Sequence, residues 1–463
     1  MVALSRVQTR RQWRIAMLVA AILGTAAVPA RGQSTGAIEG LVRDQSGGVL
    51  PGVTVEISSP ALIEGARVAT TESTGNYRFL RLPVGEYTIK FSLTGFRPVV
   101  RENVIVNAEF TATINADLAV GALEETLTVT GESPLVDVRT TTGHTIVTSE
   151  VVNTIPSSRN IFEMAKFVLG MSQPTPDVGS STSYTHNPLK IHGSKATDRS
   201  FYLDGAPSNG WFGGGDTPIH FDGSGGMAAE IDFQTTALPA WMPTGGVAVS
   251  VVAKSGGNRF SGELFGNGQV AQSANLDDEL RGRGVRATSG SESAYDVDAS
   301  LGGPIKRDRM WFFGAVRHKE YDGLLANSFL LDGSQASESV TRGDYYGKAS
   351  TKLNPANTLA LVLTSDTSVR PNRRGGATFV SLEAATYNKY TPNYFFAPTW
   401  TGSRGNAWIF EIQATRWIYG APLEYRPEVG PNDVPRLDIV TSVLTGAPVD
   451  VRKNDAAGSS FSG

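Results

Sequence analysis

Short segments of alternating polarity are the feature that most restricts the fold of this chain. The clearest spans residues 406–417, whose apolar face holds Trp408, Phe410, Ile412 and Ala414 and whose polar face holds Glu411, Gln413 and Thr415. Successive side chains of an extended strand point to opposite faces, so this pattern predicts a two-faced β-strand. An apolar outer face and a polar inner face are typical of a barrel strand in lipid. Taken alone, such strands also fit a soluble sandwich.

Composition agrees with a β-rich chain of several domains. A length of 463 residues predicts two or three domains. The 51 glycines and the charged fraction of only 18% indicate many turns and strands, not a disordered or coiled-coil chain. The absence of cysteine excludes disulfides, thiolate metal sites and a cysteine nucleophile.

Residues 1–32 are predicted to be a secretory signal peptide. A basic start at residues 6–14 precedes an apolar run at 15–30, and small residues flank the expected cleavage before Gln33. A membrane anchor is the alternative, but the run is short and interrupted by a glycine and a proline. Removing residues 1–32 takes away five arginines and no acid, which leaves 36 basic against 44 acidic residues, a net charge of −8. This charge gives no basic surface for nucleic acid.

Residues 33–119 are predicted to form a small β-sandwich. Strand-like runs separated by glycine- and proline-containing turns occupy residues 38–44, 53–59, 77–82 and 87–93. The sequences LPGV (50–53), TGNYRF (74–79) and LPVGEY (82–87) resemble the carboxypeptidase regulatory-like domain. The resemblance implies a transthyretin-like accessory module without a catalytic centre.

Residues 135–256 combine one helical segment with strand-like segments. Ile161, Met164, Ala165 and Val168 share a face at helical spacing, so we expect a short amphipathic helix packed on a sheet. The sequences IHG (191–193), FYLDGAP (201–207) and AKSGGN (253–258) resemble the plug domain of TonB-dependent outer-membrane receptors. His192 stands where that family usually has arginine.

Residues 257–463 are predicted to be the N-terminal part of an outer-membrane β-barrel. A hairpin is expected at residues 301–321, with its turn at 306–309 and the aromatic residues 311–313 at a membrane interface. The sequence contains seven or eight candidate strands, whereas plugged transporters have 22. The last residues, NDAAGSSFSG, are predicted to form a loop. We therefore expect an N-terminal fragment or a truncated product.

No motif for catalysis or metal binding is present. The five histidines lack zinc-ligand spacing, and there is no G-x-S-x-G elbow and no P-loop. Residues 282–287 match a dinucleotide fingerprint loosely, but they follow a charged loop and not a strand. We therefore expect no cofactor, no metal and no enzymatic activity.

The segment LEETLTVT (123–130) lies in residues 120–134, a predicted strand and linker between the predicted sandwich and the predicted plug. Its alternating threonine and aliphatic residues predict an extended strand, either the last strand of the sandwich or a strand kept for another protein. At this place it resembles the TonB box, the segment that in TonB-dependent receptors adds a strand to the energy-transducing periplasmic protein. The partner-binding candidates are Glu125, Thr126, Leu127, Thr128, Val129 and Thr130.

The whole order of segments resembles the Oar-like branch of TonB-dependent receptors. The resemblance implies location in the outer membrane, in contact with its lipid, and energised uptake of an extracellular ligand. Aromatic residues on glycine-rich loops are often binding residues, so the candidates for substrate contact are Trp211, Phe212, His220 and Trp241. The alternative function is that of an outer-membrane surface or assembly protein that binds extracellular protein or polysaccharide without transport.

Overall fold

The fold is that of a mainly β chain with three successive units, seen in a computed structural model. The structure describes residues 35–462 except for 63–64, 109, 122–126, 131–142, 156, 158, 173–188, 196, 209–224, 239–241, 243–244, 271–275, 330–332, 355, 374–378, 382–383, 405–407, 421, 428, 441–442, 449–450 and 452–454. The predicted signal peptide thus lies outside the described residues. None of the described helices is long and apolar enough to cross a membrane.

The first unit, here called the accessory domain, is a β-sandwich. Its strands are β1 (Thr35–Asp44), β2 (Thr54–Ser58), β3 (Ala66–Thr70), β4 (Asn76–Pro83), β5 (Gly85–Ser92), β6 (Val99–Val106), β7 (Thr111–Thr113), β8 (Ala116–Leu118) and β9 (Leu127–Thr130). One sheet has the order β4-β1-β7 with β8 also on β1, and the other has the order β3-β2-β5-β6-β9. The four predicted strand runs are confirmed by β1, β2, β4 and β5.

Alternating apolar residues fill the space between the two sheets of the accessory domain. Ile38, Ile57, Ile89 and Phe91 are fully buried there. The buried Tyr77 hydroxyl donates a 2.6 Å hydrogen bond to the Ile114 carbonyl, and burial raises the pKa of this phenol well above its usual value. The two sheets are thus joined by apolar packing, and the Tyr77 hydroxyl links β4 to the connection between β7 and β8 within the first sheet.

The second unit, here called the plug, is a mixed sheet covered by short helices. Its strands are β10 (Gly143–Thr148), β11 (Met171–Ser172), β12 (Lys190–Ile191), β13 (Arg199–Leu203), β14 (Ala206–Pro207), β15 (Ala228–Thr236) and β16 (Val247–Ala253), and its helices are α1 (Ser149–Thr154), α2 (Ile161–Met164) and a 3-10 turn (Ala165–Phe167). The main sheet has the order β10-β15-β16-β13-β14. The predicted helix is confirmed, since its apolar face is buried in the plug core.

The third unit, here called the wall, is one large antiparallel sheet. Its elements are β17 (Ser261–Val270), α3 (Asp278–Gly282), β18 (Gly290–Lys306), β19 (Met310–Phe329), β20 (Gln335–Asn354), β21 (Asn357–Arg373), β22 (Phe379–Val380), β23 (Thr386–Arg404), β24 (Trp408–Gly420), β25 (Leu423–Glu424), β26 (Arg436–Asp438), β27 (Val443–Thr445) and β28 (Asp455–Ser462). The sheet has the order β17-β18-β19-β20-β21-β23-β24-β28, with β25 also on β23. Eight long strands agree with the predicted number.

The two faces of the wall differ in polarity. Large apolar side chains are exposed on the outer face, among them Leu264, Leu301, Val316, Leu363, Phe396 and Ile412. The inner face contributes Phe313, Ala315, Tyr346, Val362, Phe395 and Ala397 to the same hydrophobic core as the plug. The predicted alternation is therefore confirmed, and the plug packs against the inner face.

Two details of the predicted wall were wrong. The aromatic residues after the first short turn were predicted to lie together at a membrane interface, but Trp311 and Phe313 are buried on the inner face. Strand alternation leaves only Phe312 of the three on the outer face. The last residues were predicted to form a loop, but β28 pairs with β24 in a regular antiparallel register from Gly420↔Asp455 to Gln413↔Ser462.

Candidate functional site

The plug is joined to the wall through the turn between β13 and β14. Asp204 and Gly205 both have positive φ angles, 48° and 79°, as a type I′ turn requires. Aspartate tolerates this left-handed conformation and glycine has no Cβ to oppose it. The turn therefore presents the Asp204 carboxylate at the edge of the plug, where the wall begins.

Asp204 connects two plug strands with two wall strands. Its Oδ1 accepts a 3.0 Å hydrogen bond from the Ala253 amide of β16, and its Oδ2 lies 2.9 Å from the Lys348 Nζ of β20. Gln413 of β24 donates from Nε2 to the Asp204 carbonyl at 3.1 Å. A charge-assisted bond in a half-buried place is stronger than one in water. This turn is thus a polar attachment point of the plug.

A second attachment point lies on the first wall strand. Glu263 of β17 accepts from Lys254 Nζ at 3.3 Å and from the Arg159 guanidinium. The Arg159 guanidinium also lies 4.1 Å from the centre of the Phe265 ring. Two plug cations therefore share one inner-face carboxylate of the wall.

The passage from plug to wall explains the sequence KSGGN. A Cβ on Gly256 would lie 2.1 Å from the Phe312 carbonyl oxygen, so only glycine fits this approach. Asn258 then accepts at Oδ1 from the Asp308 amide and from Trp311 Nε1, both at 2.9 Å, and donates from Nδ2 to the Asp308 carboxylate at 2.6 Å. Asn258 thus holds the first short turn of the wall, and its bond to the indole explains why Trp311 faces inward.

Beyond the apolar plug contact, polar side chains, most of them charged, line the inner face in two neighbouring rows, and the Gly226 amide of the plug donates a 3.4 Å hydrogen bond to one of them, Asp298. Strand register places residues of adjacent strands directly opposite one another, in the rows Asp298–Arg317–Asp344–Asp366–Asn393 and Asp296–Lys319–Arg342–Ser368. All nine residues, here called the polar belt, are buried. The belt crosses five strands, β18 to β23.

Ion pairs satisfy much of the polar belt. Arg317 makes a two-pronged bond to Asp296, with its Nε 2.8 Å from Oδ1. Arg342 Nε donates to Asp344 Oδ1 at 3.0 Å, and its Nη2 lies 3.7 Å from Asp366 Oδ2. Buried carboxylates need such partners, because an unpaired buried charge is costly.

Some polar atoms near these pairs retain hydrogen-bonding capacity. Within the described part of the chain, Asp344 Oδ2, Thr364 Oγ1 and Asn393 Nδ2 are buried and make no hydrogen bond to protein. These three atoms lie on neighbouring strands of the inner face. Such groups are usually satisfied by water or by a polar ligand.

The accessory domain contacts both other units. The Ala108 amide donates a 2.9 Å hydrogen bond to Oε1 of Glu230 on β15, and both residues are buried. The Arg81 guanidinium makes an ion pair with Glu411 on the inner face of β24. Burial lowers the pKa of Arg81 to about 10, which leaves it charged at neutral pH. The accessory domain is therefore attached to plug and wall by polar contacts.

The partner-binding segment is only partly described. Leu127–Thr130 forms β9, which pairs in parallel with β6 from Val99↔Leu127 to Glu102↔Thr130. Glu125 and Thr126 lie outside the described residues. The structure thus places Leu127–Thr130 at the end of a sandwich sheet. This agrees with the interpretation of the segment as the last strand of the sandwich. Whether the strand also serves a partner stays a prediction.

The four candidates for substrate contact, Trp211, Phe212, His220 and Trp241, lie outside the described residues. Sequence reasoning did not find the polar belt or the partner of Glu411, because the fold brings together residues that are far apart in sequence. No group of three or more histidine, aspartate or glutamate side chains that could hold a metal ion occurs among the residues that the structure describes.

Comparisons with known proteins agree with this arrangement. The family model for the carboxypeptidase regulatory-like domain matches residues 37–119. The chain is 26% identical over 294 residues to the TonB-dependent transporter Oar of Myxococcus xanthus, an alignment that covers 61% of this chain and 26% of that relative. The chain thus spans about a quarter of the length of this curated relative.

A solved structure shares the fold. The outer membrane transporter YddB from Escherichia coli superposes with a TM-score of 0.51 and 13% identity, over 69% of this chain and 44% of that one. Both matched proteins are transporters, and the alternative of a non-transporting surface protein gains no support from them. Residues 37–119 are therefore a carboxypeptidase regulatory-like domain, and the chain is similar in sequence to a part of the TonB-dependent transporter Oar and in fold to a part of the transporter YddB.

Proposed function

We propose that this chain belongs to an outer-membrane transporter that takes up an extracellular solute with energy from a TonB-type periplasmic protein. The observation that carries the proposal is the plug packed on the inner face of a large antiparallel sheet. The outer face of that sheet exposes aliphatic and aromatic side chains along successive strands. An apolar outer face suits contact with lipid, and a polar inner face suits a path for a polar solute.

The polar belt supports the second part of this proposal. Its charged residues lie farther from the short turns of the wall than Phe313, Tyr346 and Phe395, which pack against the plug. The unused hydrogen-bonding capacity of Asp344, Thr364 and Asn393 suits a wall in contact with water or with a polar solute. We therefore assign the belt to the path that opens when the plug is rearranged.

The plug contacts support a releasable plug. The two attachment points, centred on Asp204 and Glu263, are hydrogen bonds and ion pairs, not apolar packing alone. Polar contacts exchange readily with water once they are separated, whereas an exposed apolar surface would resist separation. A pull on the segment that precedes the plug would thus meet polar contacts that can be broken and remade, in addition to the apolar contacts of the core that the plug shares with the wall.

The proposed link to the energy source is β9. An extended segment binds by adding a strand to a sheet edge of its partner, which needs main-chain hydrogen bonds and no deep pocket. Leu127–Thr130 already has an extended backbone and is the last strand in the order of its sheet. It immediately precedes the plug in the chain, so force applied to it reaches the plug.

Two neighbouring proline variants test this proposal. Successive amides of a strand point to opposite edges, so Thr128→Pro and Val129→Pro each remove a donor from a different edge of β9. We expect one of the two variants to lose most of its binding to the purified periplasmic domain of a TonB-type protein in a pull-down. Thr130→Val, which keeps all amides, is the matched control and should bind like the unchanged chain. Equal binding by both proline variants and the control would rule out strand addition at β9.

A further inference from the structure

We propose that Arg416 and Tyr394 on the outer face of the wall bind the phosphate of an anionic lipid in the surrounding membrane. The site rests on the proposed function, which places this outer face in lipid. The observation that points to it is an exposed arginine within an otherwise apolar row of side chains on β24. An arginine on a lipid-facing surface is costly unless its charge reaches water or an anionic group.

The Arg416 side chain lies on the outer face of the wall. Gln413 of the same strand lies on the inner face, where it donates a hydrogen bond to the Asp204 carbonyl of the plug. Successive side chains of a strand alternate, so Ile412, Arg416 and Ile418 share the opposite face. The two isoleucines are exposed there by 39% and 48%. Arg416 is exposed as well, so its cation projects from a surface of apolar side chains.

The depth of Arg416 in the membrane follows from its place along β24. The strand begins at Trp408, whose exposed ring stacks on that of Phe410 with 6.2 Å between the ring centres. Exposed aromatic residues of this kind mark the border of the apolar band in membrane barrels. With about 3.3 Å per residue and a strand tilt of roughly 40°, Arg416 lies about 20 Å above Trp408 in a band that is about 25 Å tall. Arg416 is thus close to the opposite border of the band.

Tyrosines mark this opposite border. Tyr295, Tyr345 and Tyr394 are exposed on the outer face of β18, β20 and β23 by 43%, 49% and 46%. The phenol hydroxyls of such residues lie at the level of the lipid headgroups. Arg416 is directly opposite Phe396 in the register of β23 and β24, so Tyr394 is its diagonal neighbour toward the border. A guanidinium that extends toward the headgroups, as arginines near a membrane border do, therefore approaches the Tyr394 hydroxyl.

These two side chains fit the phosphate of an anionic lipid. Arginine presents a planar fork of N–H donors that matches phosphate oxygens, and the phenol adds one O–H donor. Phe396 and Ile418, both exposed beside Arg416, offer apolar contacts to the acyl chains. In phosphatidylcholine the choline cation balances the phosphate, whereas phosphatidylglycerol keeps a net negative charge. The site should therefore prefer phosphatidylglycerol.

Competition between two lipids tests the site. The chain in a non-ionic detergent is mixed with equal amounts of phosphatidylglycerol and phosphatidylcholine of the same acyl chains, and native mass spectrometry measures which lipid stays bound. We expect a preference of about fivefold for phosphatidylglycerol, from the attraction between one cation and an anionic lipid. Arg416→Gln should reduce the preference to nearly equal binding. Tyr394→Phe, which removes only a hydroxyl, should lower it by about half.

Arg43→Gln is the matched control, because it removes the same charge from an exposed position on β1 of the accessory domain. It should keep the full preference. The midpoint of denaturant unfolding in the same detergent should be equal for Arg416→Gln and the unchanged chain, since the removed charge lies on the outside of the sheet. An excess of inorganic phosphate should displace no phosphatidylglycerol, because the acyl chains also hold the lipid.

Three results would overturn the lipid site. These are equal binding of both lipids by the unchanged chain, a full preference retained by Arg416→Gln, and release of phosphatidylglycerol by inorganic phosphate, which would assign the cation to a free anion. Retention of neither lipid would instead contradict a lipid-facing outer surface and with it the proposed function. Equal binding of both lipids leaves that function intact, so the two failures are distinguishable.

Discussion

At the scale of single residues, Asp204 shows how one side chain can serve both its own turn and a distant surface. Its φ of 48° is required by the tight turn, and its carboxylate is required by Lys348. Asparagine tolerates the same left-handed backbone. Asp204→Asn therefore separates the charge from the turn, whereas Asp204→Ala would change both.

For Asp204→Asn we expect the plug to loosen while the wall remains intact. The loss of the charge weakens the bond to Lys348 by about 1–2 kcal/mol, which is a factor of roughly 5–30 in a local opening equilibrium. Hydrogen exchange of the amides in β13 and β16 measures this opening. Lys348→Met should have a similar effect, and the double variant should add little to either single one. Fully additive effects would show that the two side chains act independently.

The sequence predicts the Asp204 turn but not its partners. An Asp-Gly pair between two apolar runs indicates a tight hairpin turn by local chemistry alone. Lys348 and Gln413 are 144 and 209 residues away along the chain. Local patterns carry no information about which wall strand stands opposite a plug turn. The same reason explains why the pairs Arg159–Glu263 and Arg81–Glu411 were not predicted.

At the scale of elements, the register between neighbouring strands brings charged residues of separate strands together into one continuous polar surface. Period-2 alternation identifies which residues of a strand share a face, and this was predicted correctly for residues 406–417. It does not say how far one strand is shifted against the next. A shift by one residue would move the charges of that strand to the opposite face. The polar belt therefore becomes visible only once the pairings Asp298↔Arg317 and Arg317↔Asp344 are known.

The ion pair between Arg317 and Asp296 gives a prediction at this scale. Arg317→Met leaves a buried carboxylate without its two-pronged partner, so we expect a loss of about 3–5 kcal/mol in the free energy of unfolding. The double variant Arg317→Met/Asp296→Leu should recover part of this loss, since Asp296 is then no longer a buried charge without its partner, while Asp298 and Asp344 still lack the nearby cation. The midpoint of denaturant unfolding in detergent measures both effects. A double variant as unstable as the single one would contradict this account of the belt.

The positions of the aromatic residues 311–313 in the wall were predicted wrongly from the local sequence. Three consecutive aromatic residues cannot all lie on one face of a strand. The Phe312 side chain lies on the outer face of the wall, whereas those of Trp311 and Phe313 lie on the inner face. The inward direction of Trp311 is fixed by a hydrogen bond to Asn258, a residue of the connection from the plug. An aromatic cluster in sequence is thus divided between two environments in the fold.

At the scale of the whole molecule, the difference between the two faces of the wall predicts where the protein resides. Leu363 is exposed on the outer face near the middle of β21, and Thr358 of the same strand lies on the inner face. If the outer face contacts lipid, Leu363→Arg should reduce the stability of the folded protein in vesicles by about 2–4 kcal/mol. Folding titrations in phospholipid vesicles measure this cost.

The matched control for Leu363→Arg is Thr358→Arg, which places the same charge on the inner face. It should fold into vesicles with a much smaller loss. Equal losses for the two variants would contradict a lipid-facing outer surface. Because the two positions belong to one strand, differences in expression or in strand propensity largely cancel.

The order of the three units was predictable from the sequence, but their attachment was not. Turn residues and alternating polarity indicate a sandwich, whereas the plug was expected from the resemblance of residues 191–193, 201–207 and 253–258 to the plug domain of TonB-dependent receptors. The place of β9 in the accessory sheet depends on an edge of β6 to which no local pattern points. Sequence reasoning left two uses for this strand open; the pairing with β6 agrees with a sandwich strand, and the use by a partner stays a prediction.

The hydrogen bonds of Asn258 couple the first hairpin of the wall to the end of the plug. This side chain belongs to the connection that follows β16, and it holds the turn that precedes β19. One substitution at Asn258 would therefore disturb two units at once, the wall at its first short turn and the plug where its last strand ends.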